Sequence, residues 1–165
     1  SIIMNRIYQR DTFSNLSNEP DDKSSDSSSI EENEDNELVE KSRELFKDKK
    51  LKIKKIIELQ ESDYDGIQII TTGKKSLIIR DTTSQSCCES TSIEHDFNLN
   101  YFGKCEIESL LKTFKYKDDY HYCIINILLT NGKYYTVTCS NTHNGYYPHD
   151  YEIVFDNDVI DSFSL

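Results

Sequence analysis

The sequence predicts a mostly β domain, an α+β fold in which a twisted sheet closes toward a sandwich or a barrel. Three observations support this prediction. Apolar and polar residues alternate at a period of two in several segments, as in half-buried strands. The 165 residues include no Ala, which a helical bundle would normally use. Eleven Tyr and seven Phe can build a core, although hydrophobic residues make up only 36% of the chain.

Acidic residues concentrate near the N-terminus. The chain carries 30 acidic and 19 basic side chains, and residues 11–40 hold eleven of the acids and one base. Few residues there are apolar, so burial cannot offset the entropy of ordering them. We therefore predict a disordered, acidic, Ser-rich arm over residues 1–37 and a single β-rich domain over 38–165. The arm is a solvated tether or, alternatively, a phosphorylated one at Ser28 and Ser29, each of which precedes a Glu by three residues.

The predicted domain begins with a helix. Glu37–Lys47 combines apolar residues at helical spacing with favourably spaced ion pairs, which predicts one short helix. Alternation of apolar and polar residues then predicts a strand over Leu51–Leu59. Two further strands, Ile67–Thr71 and Leu77–Ile79, flank a Gly-containing turn and form a hairpin.

The second half of the domain repeats this pattern. Ile107–Phe114 is compatible with a strand or a second short helix. Tyr122–Leu129 and Tyr134–Cys139 flank Asn131-Gly132, the strongest short hairpin pattern, and Tyr151–Phe155 is a last strand.

The two halves therefore form two β-β-β units, related by duplication or similar by chance. If both units pack equivalently, the loops that follow Arg80 and Cys139 emerge at comparable ends of the fold.

These two loops carry the most unusual residues of the chain, and three hypotheses compete for them. The first is a metal site. Thiolate and imidazole are zinc ligands, and two Cys with two His suit tetrahedral zinc. The predicted ligands are Cys87, Cys88, His143 and His149. The usual spacing of two residues between paired Cys is absent, so the pattern is weak.

The second hypothesis is a thiol enzyme. Cys87 or Cys88 would be the nucleophile, activated by a His of the other loop. The predicted base is His143 or His149, oriented by Glu89 or Asp150, with Asn144 or backbone amides as oxyanion donors. No protease signature surrounds Cys87.

The third hypothesis assigns no chemistry to these residues. The loops either form a binding site, or their thiols and imidazoles have a purely structural role in the loops. The two loops would then form a polar recognition surface. Its predicted binding residues are Gln85, Glu89, Asn144, Tyr146 and Tyr147.

The motif residues also carry a resemblance to a known family. Ser86-Cys87-Cys88-Glu89, paired with a later His143-Asn144-Gly145-Tyr146-Tyr147-x-His149, resembles a small uncharacterised domain of bacteriophages, bacteria and large DNA viruses. The resemblance covers roughly residues 45–155 and implies a β-rich fold and a shared site, but no reaction. The polar segment 91–100 shows no motif to align. The scarcity of Ala, Gly, Pro and Arg indicates an AT-rich genome and resembles proteins of giant amoebal viruses.

The remaining His, Cys and basic residues have simpler interpretations. His95 is predicted in a solvated loop and His121 on a strand face. The other three cysteines, Cys105, Cys123 and Cys139, are predicted in the core. The run Lys49–Lys55 is predicted to protect a strand edge, with contact to nucleic acid as the alternative.

Composition also bears on location and partners. No apolar stretch approaches the ~20 residues of a membrane span, and the N-terminus shows no export signal. Five cysteines without such a signal indicate reduced thiols and an intracellular protein, in the host cytoplasm or in a virus particle. We expect a virus-encoded, non-enzymatic module that binds a protein partner, optionally with zinc. A thiol enzyme is the alternative, and a single-stranded nucleic-acid binder using Tyr146, Tyr147 and the Lys run is the third.

Overall fold

A computed structural model describes residues 31–60, 64–82, 90–97, 105–142 and 148–165. These ranges contain one α-helix and ten strands. In chain order the elements are β1 (Glu31–Asp35), α1 (Asn36–Phe46), β2 (Ile53–Gln60), β3 (Asp65–Thr71), β4 (Ser76–Asp81), β5 (Ser90–His95), β6 (Ile107–Lys117), β7 (Tyr120–Leu129), β8 (Tyr134–Thr142), β9 (Asp150–Phe155) and β10 (Asp158–Ser164).

The strands form two antiparallel sheets of five strands each. One sheet has the order β1-β6-β7-β8-β5, and the other has the order β10-β9-β4-β3-β2. Inward-facing side chains of both sheets, among them Ile69, Ile79, Ile125 and Val137, are fully buried in one shared apolar cluster. The fold is therefore a β-sandwich, and the prediction of a mostly β fold is confirmed.

Each sheet is built around one of the two predicted β-β-β units. The strands β2-β3-β4 form a meander in one sheet, and β6-β7-β8 form a meander in the other. The chain then exchanges sheets twice: β5, which follows β4, pairs with β8, and β9, which follows β8, pairs with β4. The two crossovers are reciprocal, so each meander is extended by a strand that follows the other.

The predicted turn between β7 and β8 is present at Asn131-Gly132. Gly132 has a φ of 85°, a left-handed conformation that glycine adopts without steric cost. The amide of Lys133 donates to Asn131 Oδ1 at 2.9 Å. These features explain why the two residues Asn131-Gly132 were sufficient to predict this hairpin.

Helix α1 begins and ends within one residue of its predicted limits. Asp35 caps it by accepting a hydrogen bond from the amide of Leu38 at 3.1 Å. Leu38 and Phe46 are buried in the shared core. Ser42 Oγ accepts a hydrogen bond from the amide of Leu110 on β6 at 2.8 Å and is itself fully buried. The helix therefore covers part of the β6 edge and satisfies a backbone donor there.

A buried lysine joins the three strands β6, β1 and β10. Lys112 of β6 has a side chain that is 4% exposed, with Nζ 2.5 Å from Asp161 Oδ2 and 3.2 Å from Asp35 Oδ2. Burial by itself lowers the pKa of Lys112, but the hydrogen bonds and charges of Asp161 and Asp35 outweigh it and raise the pKa. The amine therefore stays charged inside the fold, between β1 and β10.

One predicted boundary differs from the structure, and three strands were left open or not predicted. Residues 31–37 were predicted in the disordered arm, but they form β1 and the start of α1; residues 1–30 lie outside the described ranges. The polar segment around Ser90–His95 is a strand because β8 supplies its backbone partners. The ambiguous segment 107–114 is the strand β6, and β10 was not predicted at all. The strands β1 and β5 depend on pairing with distant strands, which local composition does not record. The strands β6 and β10 pair with a neighbouring strand of the chain, but their sequences lack a regular alternation of apolar and polar residues.

The predicted edge at the Lys run is confirmed. Lys49–Lys55 leads into β2, the outermost strand of its sheet, and Lys54 and Lys55 are exposed. Over the residues described, no helix is both long enough and apolar enough to cross a membrane.

Replacing Ser42 with Ala is expected to lower the free energy of unfolding by about 2 kcal/mol. The change removes the acceptor of a buried amide, and an unsatisfied buried donor costs about 1–3 kcal/mol. Urea unfolding of the full chain measures the loss. Glu40→Ala, at an exposed position of the same helix, is the control and should shift stability by less than about 0.5 kcal/mol. Equal effects of both substitutions would contradict the role assigned to Ser42.

Candidate functional site

The strand ends that flank the two motif loops are paired with each other. Ser90, which follows the first loop, faces Thr142, which precedes the second. On the opposite sheet Asp81 faces Tyr151, and the amide of Thr82 donates to the carbonyl oxygen of Asp150 at 2.7 Å. Both loops are therefore anchored at the same end of the sandwich, which agrees with the expectation that they emerge at comparable ends.

The loop interiors, residues 83–89 and 143–147, lie outside the described residues. The predicted site residues that fall there are Gln85, Cys87, Cys88, Glu89, His143, Asn144, Tyr146 and Tyr147. The structure thus describes two of the predicted site residues, His149 and Asp150.

His149 lies buried at the base of this end of the fold. It is 1% exposed, and its Nε2 is 3.2 Å from Oδ2 of Asp81, which is 6% exposed. The other carboxylate oxygen of Asp81 accepts a hydrogen bond from the amide of Asp65 at 2.8 Å. The His149 ring also packs edge-to-face on Tyr151, with centroids 5.1 Å apart. The imidazole is therefore fixed by a carboxylate and an aromatic ring.

The backbone around His149 is fixed as well. Its amide donates to the carbonyl oxygen of Leu165 at 2.8 Å, and the amide of Leu165 donates back at 2.9 Å. Asn141 Nδ2 donates to the same Leu165 oxygen at 3.0 Å. Asn141 is fully buried, and within the part of the chain that the structure describes its Oδ1 has no hydrogen-bond partner.

The sequence contains a pattern that points to Asp81 and Asn141, which we did not predict as site residues. On β4 the buried positions alternate as Leu77, Ile79 and Asp81, and on β8 Cys139 and Asn141 continue the same alternation. Each strand therefore ends with a polar side chain in an inward position, directly before a motif loop. Burying a polar side chain costs free energy unless it forms hydrogen bonds. A polar residue that continues an apolar alternation therefore indicates a bonded, buried polar group.

The contact with Asp81 defines the chemistry open to His149. Carboxylate oxygens are hydrogen-bond acceptors, so the contact suits the tautomer in which Nε2 donates to Asp81 and Nδ1 is the acceptor of the neutral ring. A carboxylate in this position orients a histidine that acts as a base or as a metal ligand. Of the two residues predicted to orient the ring, Glu89 lies outside the described ranges, and Asp150 is exposed and accepts a hydrogen bond from Ser164 Oγ. Asp81 takes the orienting position instead.

The predicted zinc site is described only in part. Three of its four ligands lie outside the described ranges, and the fourth, His149, contacts Asp81 through Nε2. Among the residues that the structure describes, no group of three His, Cys, Asp or Glu side chains is arranged to hold a metal ion.

The other cysteines belong to the core, as predicted. Cys123 and Cys139 face each other on β7 and β8 and are fully buried as free thiols. Burial raises the pKa of both thiols, and the proximity of Cys139 raises the pKa of Cys123 further. Neither is suited to be a nucleophile. Cys105 is half-buried against the same core.

The two remaining histidines lie on strands. His121 is on β7, as predicted, and its ring packs edge-to-face on Tyr116 at 5.0 Å. The prediction for His95 was wrong, because it lies at the end of β5 and not in a solvated loop. Its Nε2 is 3.2 Å from Glu58 Oε1 on β2, and the contact links the edge strands of the two sheets.

Comparison with known proteins identifies a family without a function. The model of a domain of unknown function, DUF7448, matches residues 49–153, and the chain belongs to this family. The match spans the strands β2–β8, both motif loops and the pair Asp81–His149, but not β1, α1 or β10. No curated protein and no solved structure matches the chain.

Replacing Asp81 with Ala is expected to lower the free energy of unfolding by about 3 kcal/mol. The change leaves the amide of Asp65 and Nε2 of His149 without an acceptor in a buried site. Urea unfolding measures the effect. Asp65→Ala is the matched control because it keeps that amide and removes only an exposed carboxylate. A loss below about 1 kcal/mol for Asp81→Ala would show that the pair does not anchor the loops.

Stability is expected to fall with alkaline pH because of the two buried thiols. The unfolded chain releases these protons near pH 8.5, whereas the raised pKa values keep the folded thiols protonated. Because the pKa of each thiol is higher in the folded than in the unfolded chain, its contribution to the free energy of unfolding is fully present below pH 8.5 and decreases above it. The expected decrease is about 1.4 kcal/mol per thiol between pH 7 and 9.5. Urea unfolding across this range should show a shallower loss for Cys123→Ala/Cys139→Ala than for Cys105→Ala. Equal slopes would contradict this assignment.

Proposed function

We propose that this chain is a non-enzymatic protein-binding module. The two motif loops, within residues 84–89 and 141–150, would form one composite recognition surface. The observation that carries the proposal is the buried pair His149–Asp81 at the paired strand ends from which both loops depart.

The burial of the pair supports binding over direct chemistry. At 1% exposure, His149 does not itself present a surface to a macromolecular partner. Its contacts fix the strand ends, and rigid strand ends reduce the entropy that loops lose on binding. The contacts to a partner would come from Gln85, Glu89, Asn144, Tyr146 and Tyr147, since Tyr supplies large contact area at low entropic cost.

The proposal includes a zinc-braced form of the same surface. Cys87, Cys88 and His143 would then join His149 Nδ1 around one ion, with Asp81 orienting the imidazole as carboxylates do at zinc-bound histidines. Zinc per chain, measured by mass spectrometry on protein purified without chelator, tests this form. About one zinc that is lost in Cys88→Ser but kept in Cys105→Ser supports it, and a folded protein without zinc removes it.

Site-specific photo-crosslinking tests the binding surface itself. A benzophenone amino acid replaces Tyr146, and a control replaces Asn131, an exposed residue of the β7–β8 turn at the other end of these strands. In host extract we expect adducts from position 146 only, and excess wild-type protein should suppress them. The variant Tyr146→Ser/Tyr147→Ser should not suppress them, although its stability should change by less than about 0.5 kcal/mol. Adducts from both positions, or a large stability loss in that variant, would contradict a recognition surface.

One observation favours a second function, a thiol enzyme. A histidine held by a buried carboxylate is the arrangement that activates a neighbouring nucleophile. Cys87 or Cys88 would be that nucleophile, with His149 as base and Asp81 as the orienting group. This hypothesis predicts that iodoacetamide at pH 6 labels one of these two thiols far faster than the other cysteines, and that Asp81→Asn abolishes the difference. Uniformly slow labelling of all five would remove it.

The same proposal extends to origin and location. The AT-rich composition supports a virus-encoded protein, and the reduced state of the buried thiols fits a role inside the host cell or the particle.

A further inference from the structure

The edge strand β1 is unusual in composition. Its five residues are Glu, Glu, Asn, Glu and Asp, and it pairs with β6 over all five positions. Among the strands that the structure describes, it lies at the end of its sheet and pairs with β6 only. An acidic segment without apolar residues thus completes a sheet whose other strands bury apolar side chains.

The segment of β6 that β1 covers is basic. Glu32 faces Lys115, and Asp35 faces Lys112, with 3.2 Å between the Lys112 amine and the Asp35 carboxylate. Both lysines are buried, at 3% and 4% exposure. Opposite charges at facing positions stabilise one register of pairing over its neighbours. The β6 edge therefore selects an extended chain with carboxylates at defined spacing.

These polar contacts attach β1 to the sheet only weakly. The strand β1 has no apolar side chain to bury, and its described contacts with β6 are the ladder pairing and the ion pair between Asp35 and Lys112. Burial raises the pKa of Glu32 more than Lys115 lowers it, and Glu34 adds to the rise. Its charged carboxylate is therefore less favourable in the docked strand than in water. Segments held by few buried apolar contacts open locally at low free-energy cost.

We propose that the β6 edge over Lys112–Tyr116 is an interaction surface for an acidic, extended segment of a partner protein. In this proposal β1 occupies the surface in cis and is displaced when the partner strand adds to the sheet. Helix α1 stays docked through Leu38 and Phe46 and tethers the displaced strand. The surface is distinct from the two motif loops, and its occupant β1 lies outside the residues matched by the family.

A peptide is favoured over a nucleic acid as the partner. The edge offers alternating backbone donors and acceptors, which an extended peptide satisfies and a phosphate backbone does not. Only two of the covered positions are basic, and one of them, Lys112, keeps the carboxylate of Asp161 on β10 as a partner when β1 leaves.

Strand replacement in the full chain tests the proposal. The variant Asn33→Pro/Glu34→Pro removes two successive backbone N–H groups of β1. Successive amides of a strand point to opposite sides, so one of these two groups donates to β6 in the wild-type chain. Its loss, together with the proline rings, prevents β1 from pairing. Asn33→Ala/Glu34→Ala keeps both amides and is the control. The probe is a fluorescein-labelled peptide with the sequence of residues 29–36, read by anisotropy. A second peptide carries Lys in place of each acidic residue.

We expect the Pro variant to bind the acidic peptide at least tenfold more tightly than the Ala control, and not to bind the Lys peptide. In the Pro background, Lys115→Glu should weaken binding of the acidic peptide at least tenfold. A folded Pro variant that binds the acidic peptide no better than the control overturns the proposal. Binding of the Lys peptide or of a single-stranded RNA in place of the acidic peptide also overturns it.

Hydrogen exchange of the wild-type chain provides a test that does not depend on the folding of a variant. The amides shared by β1 and β6 should exchange at least tenfold faster than those shared by β7 and β8. Equal protection of both sets would show that β1 is a permanent strand and would overturn the proposal.

Discussion

The structure depends on the double exchange of strands between its two sheets. Each meander alone would be a three-stranded sheet with one apolar face exposed. Because β5 joins the sheet of β8 and β9 joins the sheet of β4, neither sheet can be completed without the other. The shared core, the paired strand ends and the buried pair His149–Asp81 all follow from this exchange.

This topology also explains why polar groups are tolerated inside the sandwich at one end. The strands that cross over must turn there, and their last inward positions carry Asp81 and Asn141 instead of apolar residues. Hydrogen bonds to Asp65, His149 and Leu165 account for most of their polar atoms. The end of the fold that supports the loops is thus held by directional hydrogen bonds, whereas the centre combines apolar contacts with the buried ion pairs of Lys112.

Much of the fold was predictable because it is recorded locally. Alternating residues identified β2, β3, β4, β7, β8 and β9, and Asn131-Gly132 identified the hairpin between two of them. The strands β1 and β5 were missed because few of their residues are apolar and their partners β6 and β8 are far away in sequence. The strand β10 was missed although its partner β9 directly precedes it, because its apolar residues do not alternate regularly with polar ones. His149 was predicted from its loop, but Asp81 was not, because the alternation on β4 was followed only as far as Ile79. The two meanders could be predicted from the sequence. The exchange of β5 and β9 between the sheets could not, because it depends on pairing between residues that are distant in sequence.

The reciprocal crossovers have a consequence for how the chain reaches this fold. The hairpins of each meander join residues close in sequence and can form early, but Ser90 must find Thr142 and Asp81 must find Tyr151, each more than 50 residues away. Closing such long loops is slow compared with hairpin formation. Until it happens, β4 and β8 each present a bare edge of the kind that pairs between molecules. We therefore expect the docking of the two meanders to limit the rate of folding, and the nascent chain to be most prone to intermolecular strand pairing before that step.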